Sequence, residues 1–100
     1  MNLAPEATIL QVRAPDELNA SNAGPFRDLV RNSLKPEHQK IDLDFSATRF
    51  VDSSGLGALI SLHKAMVSRS GGVRVMNPTL QVQQILELTR MHRIFEIVPA

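Results

Sequence analysis

Apolar and polar positions follow two periods along this chain, and the periods exchange places at regular intervals. Thr8 to Arg13 (Thr-Ile-Leu-Gln-Val-Arg) is β-branched and half alternating, which predicts a strand closed by Pro15. Asp16 to Asn22 is polar and predicts a loop with Leu18 as its apolar anchor. Ser21 or Asn22 suits a helix cap and Pro25 a first helical turn. Phe26, Leu29, Val30 and Leu34 mark the buried stripe of a helix from about Ala23 to Leu34, stopped by Pro36. Lys40 to Phe45 returns to period two, with Ile41, Leu43 and Phe45 on one face and Asp42 and Asp44 on the other. That predicts a strand with one wet side, or one near a sheet edge, its aspartates solvated. Ser46 to Arg49 reads as a turn, and Phe50 and Val51 as a second apolar approach.

The helical period resumes from Ala58 onward, and Leu56, Leu59, Ile60, His63 and Val67 recur at its spacing. Gly71-Gly72 stops it, because glycine takes positive φ without steric cost. Val73 to Met76 predicts a short strand, Asn77-Pro78 a turn and helix start, and Val82, Ile85, Leu86 and Thr89 a third helical stripe. Ile94 to Val98 predicts a last strand. The order β, α, β, α, β, α, β favours an α/β layer of four or five largely parallel strands. There is no internal repeat, linker or low-complexity tract, so the 100 residues make one domain.

Composition narrows the function classes. A hydrophobic fraction of 43% argues against disorder. The net charge of +1 nominates neither a nucleic acid nor an anionic membrane as partner, and four Phe without Trp or Tyr disfavour a base-stacking platform. With no cysteine there is no disulfide, thiolate nucleophile or thiolate metal site. Pro5 and Glu6 interrupt any apolar leader, and no apolar run reaches transmembrane length, so a soluble cytoplasmic protein is expected. His38, His63 and His92 have no paired ligand spacing, which makes zinc an unsuitable ligand. His63 reads as packed or half-exposed. Arg69, Arg74, Arg90 and Arg93 read as ordinary surface charges.

The most informative stretch is Phe50-Val51-Asp52-Ser53-Ser54-Gly55-Leu56-Gly57. A strand end there hands over to a helix N-terminus, whose unpaired N–H groups and positive dipole favour an anion. Ser53 and Ser54 could simply be caps. Gly-x-Ser-x-Gly is absent, since Val51 stands where its first Gly belongs, and Gly55-Leu56-Gly57 lacks the length and Lys of a P-loop. The glycines are expected to permit a tight turn and close helix–sheet contact. Leu56 reads equally as an exposed knob or as core.

Asp52-Ser53-Ser54-Gly55-Leu56-Gly57 resembles the signature of the STAS domain, specifically of the small bacterial anti-sigma factor antagonists. Ile41-Asp42-Leu43-Asp44-Phe45-Ser46 is similar to the strand before that signature. Gly71-Gly72-Val73-Arg74-Val75-Met76-Asn77-Pro78 is similar to the turn and strand after it. Ile85-Leu86-Glu87-Leu88-Thr89 and Arg93-Ile94-Phe95-Glu96-Ile97 are similar to the closing helix and strand. The resemblance covers nearly the whole chain. It implies an α/β fold, a mostly parallel mixed sheet of four to five strands packed with about four helices.

It also implies a partner switch. In such systems the unmodified antagonist binds a serine kinase that doubles as an anti-sigma factor; the kinase phosphorylates the serine after the signature Asp, and a PP2C-type phosphatase reverses this. Carried over by position, the phosphoacceptor is Ser53; Ser54 reads as the cap or a local hydrogen-bonding residue. Asp16, Asn19, Asp52, Ser54, Gly55 and Leu56 are the partner-binding candidates; Asp52 reads either as a structural cap of the loop or as orienting the Ser53 region. The kinase uses ATP and Mg²⁺, so this chain is substrate and ligand, not an enzyme, with no cofactor of its own. One departure stands out: where the family carries a Gly-Glu-Leu-Asp type loop, this chain has Asp16-Glu17-Leu18-Asn19, with Asn19 in the Asp position. Asn keeps the hydrogen-bonding shape and loses the charge. If the family's Asp assists phosphate transfer, the change weakens phosphorylation of Ser53 and spares binding. A STAS subunit of a lipid-transport or transporter-linked complex is the alternative. An enzyme acting on a nucleotide has no nucleophile–base pair or phosphate loop behind it.

Overall fold

A computed structural model describes residues 5–100. The reading of the chain's start rests in part on residues outside that range. A 3₁₀ turn at Pro5–Thr8 leads into β1 (Ile9–Arg13), followed by β2 (Glu17–Leu18), α1 (Ala23–Ser33), β3 (Lys40–Asp44), β4 (Phe50–Val51) and α2 (Ser53–Val67). Then come β5 (Gly72–Met76), α3 (Leu80–Leu88), a 3₁₀ turn at Met91–Arg93 and β6 (Glu96–Val98). Four strands form one sheet in the order β1-β3-β5-β6, and β2 and β4 form a separate pair. Every pairing is parallel, as expected where helices make the crossovers. The described residues thus hold three α-helices and a fully parallel four-stranded sheet. No helix among them is long and apolar enough to cross a membrane.

Period two explains the layering. Leu10, Val12, Ile41, Leu43, Val73, Val75 and Ile97 project from one face and pack with Phe26 and Val30 of α1, Leu59, Leu62 and Met66 of α2, and Val82 and Leu86 of α3. All three helices therefore cover the same face. The other face carries the cross-strand row Gln11, Asp42, Arg74 and Glu96. Here the structure corrects the sequence: Asp42 is not solvated but 5% exposed. Arg74 grips it in a fork, Nε to Oδ1 at 2.6 Å and Nη2 to Oδ2 at 2.7 Å. That hydrogen-bonded carboxylate holds the Arg74 guanidinium above its ordinary value. A charge on a helix-free face can be buried because its register neighbour covers it, which alternation within one strand does not reveal. Arg69 is likewise no loose surface charge. Its Nη1 donates to the carbonyls of Lys35 and His38 at 2.9 and 3.1 Å.

Asp44 is half-buried, and its Oδ1 accepts from the Ser46 backbone N–H at 2.9 Å. That bond holds its carboxyl below the ordinary 3.8. A carboxylate with a depressed folded-state pKa adds stability above its unfolded pKa and loses it as pH falls through the folded value. Asp44→Asn should therefore flatten the acid limb of stability below about pH 4. Urea midpoints of parent and variant at neutral and acid pH check this; equal slopes would count against it.

Other boundaries shift for local reasons. Leu29 is 61% exposed, on the flank of the α1 stripe, and Val67 lies exposed at the end of α2. The last strand starts at Glu96, two residues late, because Ile94 closes the 3₁₀ turn. Ser70, with φ 59°, takes the left-handed position at the α2 stop. Gly71 has no positive φ; it is required because a Cβ there would collide with the Gln39 carbonyl.

Candidate functional site

Parallel pairing of β2 with β4 sets Glu17 beside Phe50 and Leu18 beside Val51, so the segment after each strand emerges at the same place. The chain after β4 turns into α2 at once. Asp52, with extended backbone (φ −95°, ψ −173°), is the N-cap, and its Oδ1 accepts from the Gly55 N–H at 2.9 Å. Helix therefore begins at Ser53, five residues before the apolar period at Ala58 suggested. Ser54 does not cap. Ser53 and Ser54 occupy the first two helical positions, both exposed, and among the described residues neither hydroxyl is hydrogen-bonded.

The second oxygen of Asp52 reaches across the site. Oδ2 accepts from the Ala20 N–H at 3.2 Å, and the Asp52 N–H donates to the Leu18 carbonyl at 3.0 Å. One carboxylate thus ties the 19–22 loop to the N-terminus of α2. The loop itself is held by its two asparagines. Asn22 Oδ1 accepts from the Asn19 N–H at 2.8 Å, and Asn22 Nδ2 donates to the Glu17 carbonyl at 2.7 Å. Asn19 Oδ1 accepts from both the N–H and the hydroxyl of Ser21, at 3.0 and 2.6 Å. Both bonds use an oxygen that aspartate would also supply, so Asn19 replaces a charge here and not a contact. Removing both oxygens of the clamp with Asp52→Ala should cost about 1–2 kcal/mol of stability, the loss of a cap and a loop bond together. The urea midpoint measures the cost, and faster hydrogen exchange at Ala20 would locate it; unchanged exchange would disprove the clamp.

The two glycines separate in their roles, and neither makes a turn. A Cβ on Gly55 would lie 2.6 Å from the Leu18 carbonyl oxygen and 2.8 Å from Val51 Cγ1, whereas one on Gly57 would meet nothing within 4 Å. Gly55 thus permits the close helix–strand contact and Gly57 does not. Leu56 is half-buried against the core. Asp16 is exposed, and its carbonyl accepts from the Arg49 N–H at 2.8 Å, at the far end of β2 from Ser53. The structure therefore gathers Ser53, Ser54, Asp52, Gly55 and Leu56 with the Asn19–Ala20 peptide, and holds Asp16 apart.

Thr48 escaped the sequence. It is fully buried, its Oγ1 donates to the Pro15 carbonyl at 2.7 Å, and its own carbonyl accepts from Thr79 Oγ1 at 2.6 Å. It binds the β1–β2 connection and the N-cap of α3 to the turn before β4. Nothing local marks that role, because the two partners it joins lie about thirty residues away. His63 is half-buried, with its ring edge-on to Phe95 at 5.7 Å between centroids, as its place beside the apolar stripe suggested. No cluster of three or more His, Cys, Asp or Glu able to hold a metal occurs among the described residues.

The chain and its fold resemble known proteins. Residues 2–100 match the STAS domain family. A Thermotoga maritima protein carrying the provisional name anti-sigma factor antagonist is 33% identical over 82 residues, covering 81% of this chain and 73% of that one. A Thermotoga neapolitana protein, provisionally named as an anti-sigma factor antagonist TM1081 homolog, is 32% identical over 82 residues with the same coverage. The crystal structure of the Thermotoga maritima protein superposes with a TM-score of 0.80 at 29% identity, over 89% of this chain and 78% of that chain. Unphosphorylated SpoIIAA, an anti-sigma factor antagonist, shares the fold with a TM-score of 0.75 at 18% identity, over 89% of this chain and 80% of its own. The chain belongs to the STAS domain family, alongside relatives named as anti-sigma factor antagonists.

Proposed function

We propose that this chain is an anti-sigma factor antagonist in a partner-switching pathway. Its unphosphorylated form binds a serine kinase that is also the anti-sigma factor, and phosphorylation of Ser53 releases it. A PP2C-type phosphatase resets the switch. The observation that carries this reading is Ser53 itself: an exposed, unbonded hydroxyl at the first position of α2, beside the Asp52 clamp.

Physical chemistry supports the assignment. Phosphorylation adds about −1.5 to −2 charges and three acceptor oxygens. At a helix N-terminus these meet the dipole favourably, so the antagonist's own fold tolerates them. The partner does not, because the new charge arrives beside Asp52 in a desolvating interface. The α2 start and the 19–22 loop form the recognition surface, pre-shaped by hydrogen bonds of that loop, while Asp16 lies outside it.

The test is to incubate the chain with ATP, Mg²⁺ and a serine kinase encoded beside it, then locate the added mass. A single phosphate on Ser53 is expected, with Ser53→Ala binding the kinase normally and staying unmodified. Label on another residue, or label retained in Ser53→Ala, would reassign the acceptor.

A further inference from the structure

We infer that the end of the molecule opposite Ser53 is a docking surface for an anionic lipid bilayer. The total charge of +1 conceals a strong sorting of charge by the fold. In this parallel sheet each helix returns from the carboxyl ends of the strands to their amino ends, so helix C-termini and strand starts share one pole. Arg31 and Lys64 stand in the last turns of α1 and α2. Lys35 and Arg69 lie just past those helices, and Arg90 and Arg93 just past α3. The bonds of Arg69 to the Lys35 and His38 carbonyls tie the end of α2 to the segment after α1.

The acids do not cancel this charge. Glu96 faces Lys40 at 3.9 Å, which leaves Glu37, Glu87 and, in the turn before β1, Glu6 against six cations. At the Ser53 pole the balance has the other sign. Arg27 and Asp28 pair at 3.1 Å, Arg13 and Asp44 are cross-strand partners, and Asp16, Glu17 and Asp52 remain against Arg49.

Apolar side chains project among the cations. Leu88 is 84% exposed, Val67 54% and Ile94 43%. Arg90 itself holds a left-handed conformation, φ 61°, just past a helix end, where glycine is the usual choice. Cations flanking projecting aliphatic side chains suit the boundary between charged headgroups and acyl chains. They come from the ends of three helices, spread over the pole, which matches a flat partner. A molecule docked this way turns Ser53 away from the bilayer and leaves that end free for other contacts. The inference rests on the placement of charge and exposed aliphatic side chains at this pole, so it stands or falls independently of the partner switch.

Co-sedimentation with phosphatidylglycerol/phosphatidylcholine vesicles and with pure phosphatidylcholine vesicles tests it. Binding to the anionic vesicles alone is expected, weakening as salt rises. Arg90→Glu with Arg93→Glu should weaken it by at least about tenfold, since each cation near an anionic surface contributes a several-fold effect. Leu88→Ser should weaken it without changing net charge, and Arg49→Glu, at the other pole, should leave it intact. These positions are exposed, and circular dichroism confirms that the variants fold. Absence of binding, equal binding to both vesicle types, or equal loss in variants at both poles would overturn the inference. Retention on a polyglutamate matrix without vesicle binding would overturn it in favour of an acidic protein partner.

Discussion

The Ser53→Asp variant is expected to bind the serine kinase about a hundredfold more weakly than the parent chain, a difference of about 2.7 kcal/mol. The substitution places a permanent carboxylate at the first position of α2, next to Asp52 and in the middle of the proposed interface. Acidic side chains in a first helical turn are favoured by the dipole, typically by about 0.3–1 kcal/mol. The variant's own stability should therefore hold or rise slightly. That separation makes the result readable, because weakened binding with an undiminished melting temperature can only come from the interface. Isothermal titration against the kinase, beside Ser53→Ala as the neutral control, supplies the measurement. Unchanged affinity for Ser53→Asp would sink the switch mechanism while leaving the STAS fold untouched.

Gly55→Ala and Gly57→Ala should move stability in opposite directions, although they stand two residues apart in the same helix. At Gly55 the new methyl is forced against the Leu18 carbonyl and Val51 Cγ1, at 2.6 and 2.8 Å. A backbone oxygen cannot swing aside, so the cost should fall near the upper end of the usual overpacking range, about 3 kcal/mol. At Gly57 the methyl enters open space, and relief of glycine's conformational freedom should stabilise the helix by roughly 0.5–1 kcal/mol. For a domain of this size, 1 kcal/mol corresponds to about 4–8 °C in melting temperature. Thermal melts should thus place the two variants well below and slightly above the parent. Similar melting temperatures would mean that α2 does not approach β2 as closely as described. Gly55→Ala should also loosen the hold of Asp52 on Ala20, because the clamp needs α2 and β2 at this separation.

Much of the architecture could be read from local pattern. The alternation in 40–45 and the stripe of Phe26 and Val30 report burial of one face, and a face is a property of consecutive residues. The Asp-Ser-Ser-Gly stretch was legible as a strand-to-helix handover for the same reason, since capping chemistry acts over three or four residues. Which residue caps was not legible. Asp52, Ser53 and Ser54 all have suitable oxygens, and the choice of Asp52 is fixed by where β4 ends, which depends on its pairing with β2. Asp42 and Arg74 show a similar limit. Each occupies a polar position of its own strand, and only the register of β3 against β5 makes them one buried pair.

The sequence by itself therefore determined the α/β order, every helix and strand but β2 to within about five residues, and the segment that carries Ser53. It could do so because secondary structure and capping depend on neighbours along the chain. Only the tertiary structure decided that Asp52 bridges two elements, that Gly55 and not Gly57 is sterically required, and that Thr48 joins three segments from within the core. It alone also sorted a nearly neutral composition into an acidic Ser53 pole and a basic opposite pole. Those features depend on distances between residues about fifteen to thirty positions or more apart, and such distances are set when the helices fold back across the sheet.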